Sequence, residues 1–159
     1  MNSLYARSVF FTQDAEASLR HYTEQLGFSV DWKYDEEGRA YVFQVSLLGF
    51  ELILNQTEDA TRARAGKGRV FIGLEDDERE PLVQHIRTRR IQTEVVDWGR
   101  PTLLIRDVDS NELFFWLTED AWEALTAPGD GASPGVAPPD RSPASRPPFD
   151  SRSARSPAG

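Results

Sequence analysis

The sequence contains two imidazoles, His21 and His85, and no cysteine. Thiolate nucleophiles, disulfides and Cys-ligated metals are therefore excluded. Both histidines fall inside helix-like segments, where a core-edge or surface position suits them better than metal ligation or a Ser-His-Asp arrangement. Gly66-Lys67-Gly68 is too short a glycine signal to be a phosphate loop. The residues best placed for chemistry are instead aromatics at strand spacing. Side chains alternate across a strand, so Leu52, Leu54, Val70, Ile72, Leu113, Phe115 and Leu117 share the helix-side face. Phe71, Phe114 and Trp116 are left on the other face. An aromatic surface of that kind can stack on a planar or cationic small molecule.

The elements that would present these residues fit a chain of 159 residues with 39% hydrophobic content, enough for one domain or two small fused modules. The net charge of −8 and a pI near 4.8 argue against nucleic acid as a partner. They suit a cationic ligand, although an acidic surface also simply favours solubility. No stretch has the length and apolarity of a membrane span. The first residues, Met1 to Arg7, lack a basic region followed by an apolar run, so the expected location is the cytoplasm.

In chain order, Tyr5–Phe11 reads as a strand, and Thr12-Gln13-Asp14 as the cap of a helix over Ala15–Leu26. Leu19, Tyr22 and Leu26 share one face of that helix, which Gly27 ends. Phe28–Tyr34, Arg39–Leu47 and Leu48–Asn55 read as three further strands, the first two joined by a turn at Asp35-Glu36-Glu37-Gly38. A polar linker, Gln56–Gly68, precedes a second round: a strand over Arg69–Leu74, a helix over Asp76–Arg90, and strands over Ile91–Val96, Pro101–Arg106 and Glu112–Leu117. Asp77 and Glu80 have capping-box spacing, and Pro81 is tolerable only near the first turn. A short helix, Asp120–Leu125, follows. The order strand, helix, three strands thus repeats at a period of roughly 60 residues. Ala127–Gly159 holds eight of the ten prolines and almost no large apolar residue beyond Phe149. Its composition predicts a disordered tail.

Two motifs within this duplicated frame resemble a known superfamily. Ile105–Leu117 reads I-R-D-V-D-S-N-E-L-F-F-W-L, two strands around a polar turn, and is similar to the last hairpin of the vicinal oxygen chelate superfamily. That superfamily includes glyoxalases, extradiol dioxygenases, and fosfomycin- and bleomycin-resistance proteins. Its usual turn is D-P-D-G-N, with Val108 and Ser110 here in the Pro and Gly places. His21–Phe28, H-Y-T-E-Q-L-G-F, is similar to the family's F-Y-x-x-x-L-G-F, with His21 in the usual Phe place. The resemblance implies an α+β fold of two tandem βαβββ modules, residues 4–55 and 68–118 of a domain spanning 1–126. Their strands would curl into an eight-stranded mixed sheet around a concave cup, with helices outside. It also implies a homodimer.

Metal enzymes of that family place one ligand each on strands 1, 4, 5 and 8. By position these fall on Arg7, Glu51, Arg69 and Phe114. Arginine stays protonated and phenylalanine has no donor atom, so only Glu51 could ligate a metal. The resemblance therefore points to the metal-free, bleomycin-resistance-like branch, with no metal and no cofactor. If all four residues line the cup, Glu51 would pair with one or both arginines over an aromatic floor, or the charges would hold polar groups of a ligand. The expected ligand-binding set is Arg7, Glu51, Arg69, Phe71, Phe114 and Trp116, with Trp32 and Trp98 at matching places near the rims. The reading favoured is sequestration of a small molecule, for which a cationic antibiotic is one candidate. The alternative is a glyoxalase- or dioxygenase-type lyase, or metal-free catalysis with Glu51 as general base. A further alternative is a module whose tail recruits another protein.

Overall fold

The computed structural model describes residues 6–57 and 59–127. The predicted strand of module one is found as β1 (Ser8–Thr12), followed by α1 (Ala15–Arg20) and a π-helical turn (His21–Gln25). Strands β2 (Ser29–Glu36), β3 (Arg39–Leu47) and β4 (Phe50–Gln56) complete the module. Asp14 caps α1 by accepting from the Ala17 N–H at 3.1 Å. Gly27 follows the π turn at φ +74°, as the helix stop required. The linker contains a 3-10 turn, Asp59–Arg64. Module two repeats the order with β5 (Arg69–Ile72), α2 (Asp76–Arg89), β6 (Glu94–Asp97), β7 (Pro101–Arg106) and β8 (Glu112–Trp116). A last helix, α3 (Glu119–Thr126), packs on α2, where Arg87 donates to the Ala124 carbonyl at 2.8 Å. The capping box of α2 lies two residues earlier than its sequence spacing suggested: Glu78 accepts from the Glu75 N–H at 2.9 Å. Residues 128–159, where the tail was expected, lie outside the described residues.

The eight strands form two four-stranded mixed sheets, β1-β4-β3-β2 and β5-β8-β7-β6. In each, the first strand runs parallel to the last of its module. They do not form one continuous eight-stranded ladder, because β1 and β5 are not hydrogen-bonded to each other. The helix-side residues of both sheets meet instead in a single core. Phe10, Phe43, Val45, Leu52 and Leu54 of module one join Ile72, Leu103, Ile105, Leu113 and Phe115 of module two. Burial of these apolar faces supplies the main driving force for holding the modules together.

A polar lock crosses the module boundary at the turn between β7 and β8. Asn111 is fully buried; its Nδ2 donates to the Phe11 carbonyl at 3.2 Å and to Asp107 Oδ2 at 2.8 Å, while its Oδ1 accepts from the Gly68 N–H at 2.8 Å. Asp109 accepts from the hydroxyls of Thr12 and Ser18 and from the Gln13 N–H. The Tyr22 hydroxyl donates to Asp107 Oδ2 at 3.1 Å. The polar residues of the D-V-D-S-N turn therefore bind module one as well as shaping a hairpin. The linker is pressed against this turn: a Cβ on Gly66, held at φ +71°, would meet the Asp109 carbonyl, and one on Gly68 would meet the Phe10 ring.

Candidate functional site

With the helix-side faces buried, each sheet turns its other face outward, and most of the exposed large hydrophobics stand there. Val9, Trp32, Tyr34, Phe71 and Trp116 are each more than two-fifths exposed on strands, as is Trp98 in the β6–β7 turn. On module two this face is an aromatic cluster. Phe71 and Trp116 meet edge to face with ring centroids 4.8 Å apart. Trp98 stacks on Phe114 at 4.5 Å and lies 6.2 Å from Phe71. Phe114 is only 3% exposed because Trp98 covers it. The Trp116 indole N–H donates to Thr102 Oγ1 at 3.1 Å, which fixes the ring on the sheet.

Arginines lie over the edge of this cluster. Arg69 stands 6.0 Å from the Phe114 centroid, and Arg100 4.7 Å from that of Trp116. Strand register explains where Arg69 pairs. Parallel pairing of β5 with β8 sets it opposite Glu112, which it contacts at 2.6 Å. Arg106, beside Glu112 on β7, pairs with Glu94 and Glu112. Glu112 was not among the sequence candidates, although strand alternation puts it on the same face as Phe114, two residues on, and Trp116, four residues on. Arg100 sits in a turn, where no periodicity could have exposed it.

The outward face of module one is more polar. Arg7 and Glu51 are ion-paired at the meeting of β1 and β4, with side chains 25% and 39% exposed. Asp31 accepts from Gln44 Nε2 at 2.9 Å and from the Ser46 hydroxyl at 2.7 Å, and the Trp32 indole donates to Gln44 at 3.1 Å. Alternation along β3 places Gln44 and Ser46 together, a signal open to sequence reading but not used there. Glu51 thus pairs with Arg7, while Arg69 is neutralised by a different carboxylate on the other sheet. The structure brings together Arg69, Phe71, Trp98, Phe114 and Trp116 on one face, and Arg7, Glu51 and Trp32 on the other.

These positions do not suit a metal ion. The Glu51 carboxylate is held by a guanidinium, which repels a second cation, and Phe114 offers no donor. Among the described residues no group of three or more His, Asp or Glu side chains could hold one. No helix among them is long and apolar enough to cross a membrane.

Duplicated βαβββ modules, mixed sheets and a polar β7–β8 turn define a class, and comparison identifies it. Residues 5–113 match the profile of the Glyoxalase/Bleomycin resistance protein/Dioxygenase superfamily, and the chain belongs to that superfamily. The fold is similar to the bleomycin-binding protein of bleomycin-producing Streptomyces verticillus, solved with copper(II)-bleomycin: TM-score 0.53 and 19% identity, covering 75% of this chain and 99% of that one. It is also similar to UcmS2, with TM-score 0.51 and 18% identity over 72% of this chain and 98% of that one. TioX from Micromonospora sp. ML1 is similar at TM-score 0.50 and 13% identity, covering 70% and 94% of the respective chains. No functionally curated protein matches the chain in sequence.

Proposed function

We propose that this protein sequesters a small molecule without metal, holding it against the outward aromatic face of module two. The observation that carries this reading is the cluster of Phe71, Trp98, Phe114 and Trp116, which leaves Phe71 and both tryptophans accessible. Single exposed aromatics are ordinary, but a joined patch of them is a binding surface. Its flat rings suit a planar, aromatic ligand. The second wall is supplied by the module-one face of a second copy, so that the working unit is a homodimer. That face carries Trp32 with the carboxylate of Asp31, which is held by Gln44 and Ser46 and pairs with no cation among the described residues. Together with the net charge of −8 it favours a cationic ligand, such as a cationic antibiotic. The bleomycin-binding protein of similar fold supports the same class of ligand. Against catalysis of the glyoxalase or dioxygenase type stand the ion pair that ties Glu51 to Arg7 and, among the described residues, the lack of any three His, Asp or Glu side chains grouped to hold a metal.

Titration of tryptophan fluorescence with metal-free bleomycin, after EDTA treatment, tests this reading, and sedimentation tests the dimer. Saturable quenching at micromolar ligand or below supports metal-independent sequestration. A flat titration removes bleomycin from the candidates, and stoichiometric zinc, nickel, iron or manganese in the purified protein overturns the metal-free reading.

A further inference from the structure

We infer that residues 146–152 of this chain, Arg-Pro-Pro-Phe-Asp-Ser-Arg, dock onto the domain in an apolar cleft between the β3–β4 turn and the start of α2. Phe149 enters the cleft, and Arg146 and Arg152 meet the carboxylates at its rim. The inference does not depend on which ligand the aromatic face takes.

The cleft has a volume of about 380 Å³, within the range of small-molecule pockets. Phe28, Leu82 and Phe115, all buried, line its inner part. Leu48 and Phe71 also line it, yet they are 39% and 41% exposed. Apolar surface left open to water in this way is stabilised by a partner that covers it. At the helix end the lining changes to Glu75 and Glu78. Their carboxylates close the capping box of α2, and neither pairs with a cation among the described residues. Asp76 and Asp77 follow in the same turn, where Arg79 pairs with Asp76. The carboxylates of this turn outweigh the roughly half positive charge of a helix N-terminus, so the rim is acidic.

The occupant is indicated by the chain itself. Phe149 is the only aromatic residue after Trp122, and it lies between Arg146 and Arg152. Residues 141–159 hold four arginines against one aspartate, a basic stretch in a protein of net charge −8 and opposite in sign to the rim. Pro147 and Pro148 restrict the backbone just before Phe149, which lowers the entropy lost on docking, and aromatic-lined grooves take proline-rich segments by this means. The reach is sufficient. α3 ends at Thr126, and its Ala124 carbonyl sits on Arg87 in the last turn of α2. From there α2 runs about 18 Å back to Glu75 at 1.5 Å per residue. The roughly 22 residues from Ala127 to Phe149 extend up to about 70 Å. Tethering makes the contact intramolecular and raises its effective concentration.

The absence of cysteine makes the test direct, because Ser151→Cys gives the full-length chain a single site for a nitroxide label. Amide signals are then compared with the label oxidised and reduced. The expected result is loss of signal at Leu48, Gly49, Gly73, Leu74 and Glu75, with Gly38 and Ser110 retained. Phe149→Ala, in the labelled chain, should restore the lost signals, and it leaves the folded domain untouched. Glu78→Gln keeps the capping box and should restore them in part, as should added sodium chloride. Mixing labelled chains with isotope-enriched, unlabelled ones separates docking within a chain from docking between chains. The proposal is overturned if signal loss is absent or uniform, if it survives Phe149→Ala, if it falls on Trp98 and Trp116 instead of the cleft, or if it arises only between chains.

Discussion

Trp98 stacks on Phe114 with ring centroids 4.5 Å apart and planes inclined by 27°. A turn residue thereby roofs a residue of the central strand pair of module two and takes its place at the surface. The phenyl ring is consequently part of an aromatic platform whose accessible surface belongs to Trp98, Phe71 and Trp116.

This platform gives the first prediction. Trp116→Ala should weaken a bound planar ligand about ten-fold, the loss of roughly 1–1.5 kcal/mol of stacking, while the oligomeric state is retained. Trp98→Ala should weaken it similarly and also expose Phe114. Calorimetric titration of both variants checks this; affinity unchanged in both would remove the face from the site.

Glu51→Ala should be mild in the isolated chain. The Arg7–Glu51 pair is partly solvated, with side chains 25% and 39% exposed, and such pairs contribute about 1 kcal/mol or less. Urea unfolding should show a loss below that value. A larger loss would indicate that a second copy covers and desolvates the pair.

Asn111→Ala should be far more damaging. It removes three hydrogen bonds from a fully buried side chain and strands the Gly68 N–H and the Phe11 carbonyl. A loss of about 2–4 kcal/mol is expected from unfolding curves. A loss under 1 kcal/mol would show that the lock between the modules is dispensable.

Alkaline pH should destabilise the protein through Tyr22. Burial, followed by the neighbouring Asp107 carboxylate, raises its pKa well above the ordinary 10.0. The unfolded chain then releases the Tyr22 proton near pH 10 while the folded chain keeps it, so stability falls as pH rises above that value. Asp107 acts with the same sign at lower pH. Burial raises its pKa above 3.8 against the opposing hydrogen bonds from Asn111, Tyr22 and Asp109, so its contribution declines as pH rises through the carboxylate range. Unfolding free energy measured against pH should lose its slope above pH 10 in Tyr22→Phe, and an unaltered slope would assign alkaline instability to other groups.

Much of this protein follows from local patterns. Strand alternation alone separated Leu113, Phe115 and Leu117 from Phe114 and Trp116, because a pleated strand has a strict period of two. The helix stop at Gly27 and the duplicated order of elements were legible for the same reason: both depend on neighbours in sequence. Other features were decided only by the fold. That Arg69 pairs with Glu112, leaving Glu51 to Arg7, depends on which strands lie side by side. Trp32 and Trp98 were expected at matching places, but Trp32 stands within β2 and donates to Gln44, whereas Trp98 lies in the β6–β7 turn and stacks on Phe114. The duplication specifies each sheet but not how the two sheets meet. That choice is made by apolar surface buried between modules and by the Asn111 lock, both of which join residues distant in the chain.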